Sequence, residues 1–163
     1  MSRASPGFLV PTIVVSAMIF AVPAPAGTLV VGPGEAHTTI QAALDAAADG
    51  DTVLVKPGEY VIDEPIDLNR LHDPENAASP PFKELTVVSE GGAEVTTIRM
   101  VAEPKDRKRA SVAIFSKGES SASSLEGFTL TGGQGTSWGQ PARESGGGVL
   151  CDGASPRIVS CTL

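Results

Sequence analysis

Apolar residues follow three different rhythms along this chain. From Phe8 to Val22 a run of 15 residues is broken only by Pro11, Thr12 and Ser16. Arg3 precedes it, and Val22-Pro23-Ala24-Pro25-Ala26-Gly27 follows it. A secretory signal has a positive start, an apolar core of roughly 7–15 residues and a small-x-small cleavage site, whereas a membrane-spanning helix needs about 20 apolar residues. The segment therefore reads as a signal peptide over residues 1–26, with Ala24 and Ala26 as the small pair. Residues 27–163 then form one domain, and no Cys directly follows the cleavage region to take a lipid.

The second rhythm is a strand, a helix and a strand. Thr28 to Val31 is rich in β-branched residues and ends at Gly32-Pro33-Gly34. Ile40, Ala43, Leu44 and Ala47 recur at i, i+3, i+4 and i+7, which predicts a helix through Ala48 with Thr38 or Thr39 as its N-cap. Gly50 stands where a left-handed residue after the helix is wanted. Thr52 to Val55 is the next strand, and Pro57-Gly58 marks a turn.

The third rhythm has no helical period. Short apolar pieces at Tyr60–Ile62, Ile66–Leu68, Leu85–Val88, Thr96–Met100 and Val112–Phe115 are strand candidates. Between them lie a polar, Pro-rich loop from His72 to Pro81 and a charged turn from Lys105 to Arg109. Near the end, Ser124-Leu125-Glu126-Gly127-Phe128-Thr129-Leu130 aligns with Arg157-Ile158-Val159-Ser160-Cys161-Thr162-Leu163 at an offset of 33. Leu125 then faces Ile158, Gly127 faces Ser160, and Thr-Leu repeats outright. One strand per side with turns between is what a coil of a parallel β-solenoid requires, because each coil buries its inward side chains only against its neighbours.

Composition sharpens this picture. Eighteen Gly and 13 Pro in 163 residues exceed ordinary usage of about 12% for the two together, which argues against a helical bundle. Aromatic residues are only 4% of the chain, as expected where narrow coils are filled by Val, Ile, Leu and Ala. The net charge of −7 leaves no nucleic-acid footprint.

With these residues in view, the sequence resembles a right-handed parallel β-helix protein of the pectin-lyase-like superfamily. The stretch Thr38-Thr39-Ile40-Gln41-Ala42-Ala43-Leu44 through Gly50-Asp51-Thr52-Val53-Leu54-Val55-Lys56-Pro57-Gly58-Glu59-Tyr60 is similar to the opening of many secreted members. Leu125 to Gly133, with Gly146-Gly147-Gly148-Val149-Leu150-Cys151, is similar to their repeats. The resemblance implies an all-β solenoid whose short α-helix caps the N-terminal end. The last strand pattern runs to Leu163 without a polar cap, so the sequence reads as the N-terminal portion of a longer solenoid, its final coil open to end-to-end self-association.

The resemblance also implies export, to the medium, the periplasm or the cell surface, and a lateral face that binds or processes polysaccharide. An enzyme of this kind would be a polysaccharide lyase or a glycoside hydrolase, and no catalytic residue is identifiable here. The alternative is a non-enzymatic, adhesin-like surface module. Once the signal is cleaved, no membrane partner is expected.

Few side chains suggest chemistry. Trp138, the sole tryptophan, and Arg143 lie in the Gly-rich insertion between the repeats. An indole can stack on a sugar ring and a guanidinium can bind a carboxylate, so both are candidate substrate-binding residues; the plainer alternative is a loop anchor. Asp49 and Asp51 read as turn formers. Asp63, Glu64 and Asp67 read as a solvated acidic edge, and Lys105, Arg107, Lys108 and Arg109 as a solvated charge run. No calcium-loop motif is present, so no metal and no cofactor is expected, although calcium occurs in the family. His37 and His72 have no partner nearby in sequence, and Cys151 and Cys161 read as interior thiols rather than a bridge.

Overall fold

The computed structural model describes residues 25–138 and 143–163. The signal peptide expected over 1–26 falls outside them, apart from its last two residues. The chain is mostly β, a parallel solenoid of about three turns with one short helix.

Strand β1 (Thr28–Val31) leads to α1 (Ile40–Ala46), and the first coil follows as β2 (Thr52–Val55), β3 (Gly58–Ile62) and β4 (Ile66–Asp67). The second coil holds β5 (Thr86–Ser89), β6 (Thr96–Met100), β7 (Arg109–Ala110) and β8 (Ala113–Phe115). The third holds β9 (Ser124–Glu126), β10 (Thr129–Thr131), the pair β11 (Gly135–Trp138) and β12 (Arg143–Ser145), and β13 (Val149–Cys151); β14 (Arg157–Val159) begins a fourth.

Equivalent strands of successive coils pair in parallel and build three faces: β1-β2-β5-β9-β14, β3-β6-β10 and β4-β8-β13. On the first face Leu29, Val53, Val87, Leu125 and Ile158 stand in one register column. Val53, Val87 and Leu125 in that column are fully buried. The offset of 33 is thus the register itself: Leu125 pairs with Ile158, and Thr129 bridges Thr162. The small position of the repeat is a corner, where Gly127 and Ser160 both take positive φ, 75° and 51°.

The helix plugs the N-terminal end of the stack. Ile40, Ala43, Leu44 and Ala47 join the main core cluster with strands of the coils beneath. Thr39 is the N-cap, its hydroxyl accepting the Ala42 N–H. The helix ends at Ala46, earlier than the apolar period suggested: Ala47 N–H still donates to Ala43 O as the C-cap, but the Ala48 amide is diverted to the residue ahead of β2. Ala48 N–H donates to Asp51 Oδ2 at 2.8 Å, while Asp51 Oδ1 accepts Gly27 N–H at 2.6 Å. Gly50 is left-handed, as expected, yet it serves the turn into β2 rather than the helix end. Lys83 closes the helix instead, its ammonium donating to the carbonyls of Leu44, Asp45 and Ala47.

The insertion read as a Gly-rich loop contains structure. β11 pairs antiparallel with both β12 and β7, so the long turns of coils two and three form a small sheet beside the solenoid. Cys151 and Cys161 are unbridged. Neither is fully interior: Cys161 packs half-buried against the core, and Cys151 is exposed because it lies on the last strand of its face.

Candidate functional site

The acidic edge and the basic run, separate in sequence, meet across one coil step. A cleft of about 240 Å³ is lined by Glu64, Pro65, Asp67, Arg70, Asp106 and Arg109. At its base Asp67 is only 2% exposed, which corrects the expectation of a solvated trio. The correction has a physical reason: Asp67 opens no turn but ends β4, where the strand's alternation stacks it on Ile114 and Leu150.

Asp67 is held from every side. Its N–H donates to Gln41 Oε1 and its carbonyl accepts from Gln41 Nε2, each at 3.0 Å, so the helix glutamine pairs with β4 as a strand would. Its carboxylate accepts Asn69 N–H at 3.0 Å and an N–H of Arg109. Burial pushes the Asp67 carboxyl above its ordinary value, and Arg109 only partly opposes this. Asn69 continues the network inward, donating to Glu119 Oε1 at 3.1 Å. Glu119, itself 1% exposed, also accepts Lys117 N–H. Among the described residues, no buried side-chain polar atom lacks a partner.

The cleft wall is a chain of ion pairs. Arg70 grips Asp45 of α1 through two N–H groups and reaches Glu64 at 3.5 Å. Burial alone would raise Asp45, but the bonds from Arg70 and Gln41 outweigh it and hold the carboxyl below its usual range. Lys105 pairs with Glu64 and lowers it likewise. The basic run is exposed, as read from the sequence, while three of its members pair within the chain: Lys105 with Glu64, Arg107 with Glu103, Arg109 with Asp67.

Two further hollows share walls with this cleft. One of about 210 Å³ shares Arg109 and runs past Ile114 and Ser116 to Thr136 and Ser137 of the β11–β12 hairpin. Another of about 580 Å³ shares Glu64, Pro65 and Arg70 and lies between α1 and β3. Their linings pass from the first coil to the third, so the hollows follow the axis of the stack. The sequence candidates lie at one end of this line. Trp138 and Arg143 face each other in the hairpin register, and Trp138 directly follows the cleft residue Ser137.

Asp49 and Asp51 are structural, accepting backbone N–H groups of Glu84 and of Gly27 and Ala48. Among the described residues no group of three or more His, Cys, Asp or Glu is placed to hold a metal ion. Sequence reasoning missed Asp45, Arg70 and Asn69. Only Gln41, inside the Thr-Ile-Gln stretch, carried a signal, and the partner that explains it is 26 residues away.

The fold places the chain among parallel β-solenoid proteins. No protein-family model, no curated protein and no solved structure matches it.

Proposed function

We propose that this chain is an exported polysaccharide-binding module. The observation that carries the reading is the pair of smaller clefts, about 240 and 210 Å³, that meet at Arg109 and run along the solenoid side from the first coil to the third, with Glu64, Asp67, Arg70 and Arg109 in their walls. A linear polymer can lie along the side of a stack of coils, where Arg70 of the first coil, Arg109 of the second and Thr136 of the third succeed one another. Polar groups fixed by their own ion pairs orient a ligand at little entropic cost. Arg70 and Arg109 are already engaged by carboxylates, which favours binding over proton abstraction. Trp138 and Arg143, register partners in the β11–β12 hairpin that follows the cleft residue Ser137, are the proposed sugar-binding pair.

The test is calorimetric titration of the purified protein with polygalacturonate, alginate and a neutral glucan, with product absorbance followed in parallel. Saturable binding of one glycan without unsaturated or reducing ends is expected, weakened about tenfold in Trp138→Ala. New product ends would overturn the binding-only reading, and failure of all three glycans to bind would overturn the polysaccharide.

A further inference from the structure

The face built by β3, β6 and β10 has an open edge. β1 adds a strand below β2 on the first face, but nothing equivalent lies below β3: among the described residues β3 pairs only with β6. Gly58 N–H donates to Val95 O and Ile62 O accepts Val101 N–H, both at 2.9 Å, so Gly58, Tyr60 and Ile62 direct their backbone groups toward β6. In a parallel ladder the intervening residues direct theirs the other way. The N–H and C=O groups of Glu59 and Val61 therefore face the hollow of about 580 Å³ between β3 and α1, which the whole of β3 lines.

Proteins protect such edges with Lys, Pro or a covering element. Here the edge strand carries Val61, half exposed at 50%, at a point where a β-branched residue suits strand pairing. The hollow is also acidic. Asp45, Glu59, Asp63 and Glu64 line it against the single guanidinium of Arg70. Arg99 and Lys105 pair with Glu59 and Glu64 from the neighbouring coil, while Asp63 makes no ion pair among the described residues.

We propose that β3 accepts an extended segment of a partner protein as an added strand. The segment is alternately apolar and cationic, its backbone bonded to Glu59 and Val61 and its cations facing Asp63 and Glu59. Backbone bonds would supply affinity and the carboxylates selectivity, as in strand addition generally. Five residues of β3 span about 16 Å, enough to engage a peptide of five or six residues. The inference stands apart from the glycan reading, since Val61 and Asp63 line neither smaller cleft.

The probe is a fluorescein-labelled acetyl-(Val-Lys)3-amide followed by anisotropy, with acetyl-(Val-Glu)3-amide as its charge opposite. The lysine peptide is expected to bind saturably, and the glutamate peptide at least about tenfold more weakly. Val61→Pro removes an N–H that faces the hollow, at an edge position where proline is tolerated, and is expected to weaken binding about tenfold. Asp63→Lys should do the same while glycan titration stays unchanged. A second measurement leaves the protein untouched: peptides N-methylated at every Val or at every Lys. Since only one side of an added strand faces β3, one methylated series should lose binding and the other keep it. Equal affinity of both series, equal affinity for wild type and Val61→Pro, or no saturation up to about 1 mM overturns the proposal.

Discussion

Two side chains show how a single residue answers to the coil around it. Ser160 takes a left-handed backbone where the preceding coil has Gly127, a conformation that costs a non-glycine residue about 1–3 kcal/mol. Ser160→Gly should stabilise the protein by about 0.5–1 kcal/mol, after the extra freedom glycine gains when unfolded; an unchanged or lower melting temperature would refute this. Asp67 raises the question of pH. Its carboxyl is raised by burial, so the folded state holds that proton to higher pH than the unfolded chain does. The group therefore costs stability as pH climbs from the ordinary carboxylate range, about 3.9, through its raised value. Urea denaturation of wild type and Asp67→Asn at pH 3 and pH 7 should show the variant gaining relative to wild type at pH 7, and a constant difference would disprove it. The Ser160 corner was legible, because the repeat marks a small position. The burial of Asp67 was not: Asp-Glu-Pro-Ile-Asp has the look of a turn, and its stacking on Ile114 depends on where the 42 residues up to Arg109 return.

At the scale of elements, the helix is the clearest success of the sequence pattern. Its Ile40, Ala43, Leu44 and Ala47 stripe is the face it buries, since a 3.6-residue period leaves no other face able to close a flat, apolar coil end. Leu44 is fully buried. A charge at that site would have no partner, so Leu44→Asp should cost more than about 4 kcal/mol, expose the coil interior to a hydrophobic dye and promote aggregation. Unaltered melting and dye binding would remove the helix from its role as plug. The helix C-terminus, by contrast, was misread, because what stops it is Asp51 and Lys83 rather than Gly50. Both act through the fold: the ammonium that holds the last carbonyls sits 39 residues beyond Leu44. The hairpin β11–β12 was missed for a related reason. Gly-rich, irregular sequence becomes strand there because the equivalent turn of the coil below supplies β7 as a partner.

At the scale of the whole molecule, coil length explains why only one repeat was visible. Thr52 to Thr86 is 34 residues, Thr86 to Ser124 is 38, and Ser124 to Arg157 is 33. The surplus sits in different corners: after β4 in the first coil, and between the second and third faces in the next two. Alignment by sequence slips at each insertion even though the strands stay in register. Such a stack is coupled chiefly between neighbours, so damage should spread unevenly. Phe128 is fully buried in the third coil, and Phe128→Ala should cost about 3–5 kcal/mol. Hydrogen exchange is expected to lose protection first in β9 and β14 while β1 and β2 hold; uniform loss would mean that the coils melt as one unit.

The matching of Ser124 above Arg157 turns residues 124–156 into an interchangeable segment whose two ends share one position on the stack. Duplicating that segment in the gene would lengthen the rod by a single strand spacing, about 4.8 Å, and would carry a second copy of the hairpin outward with it. The molecule is in that sense a ruler, on which the reach of an engineered trough can be set by counting graduations.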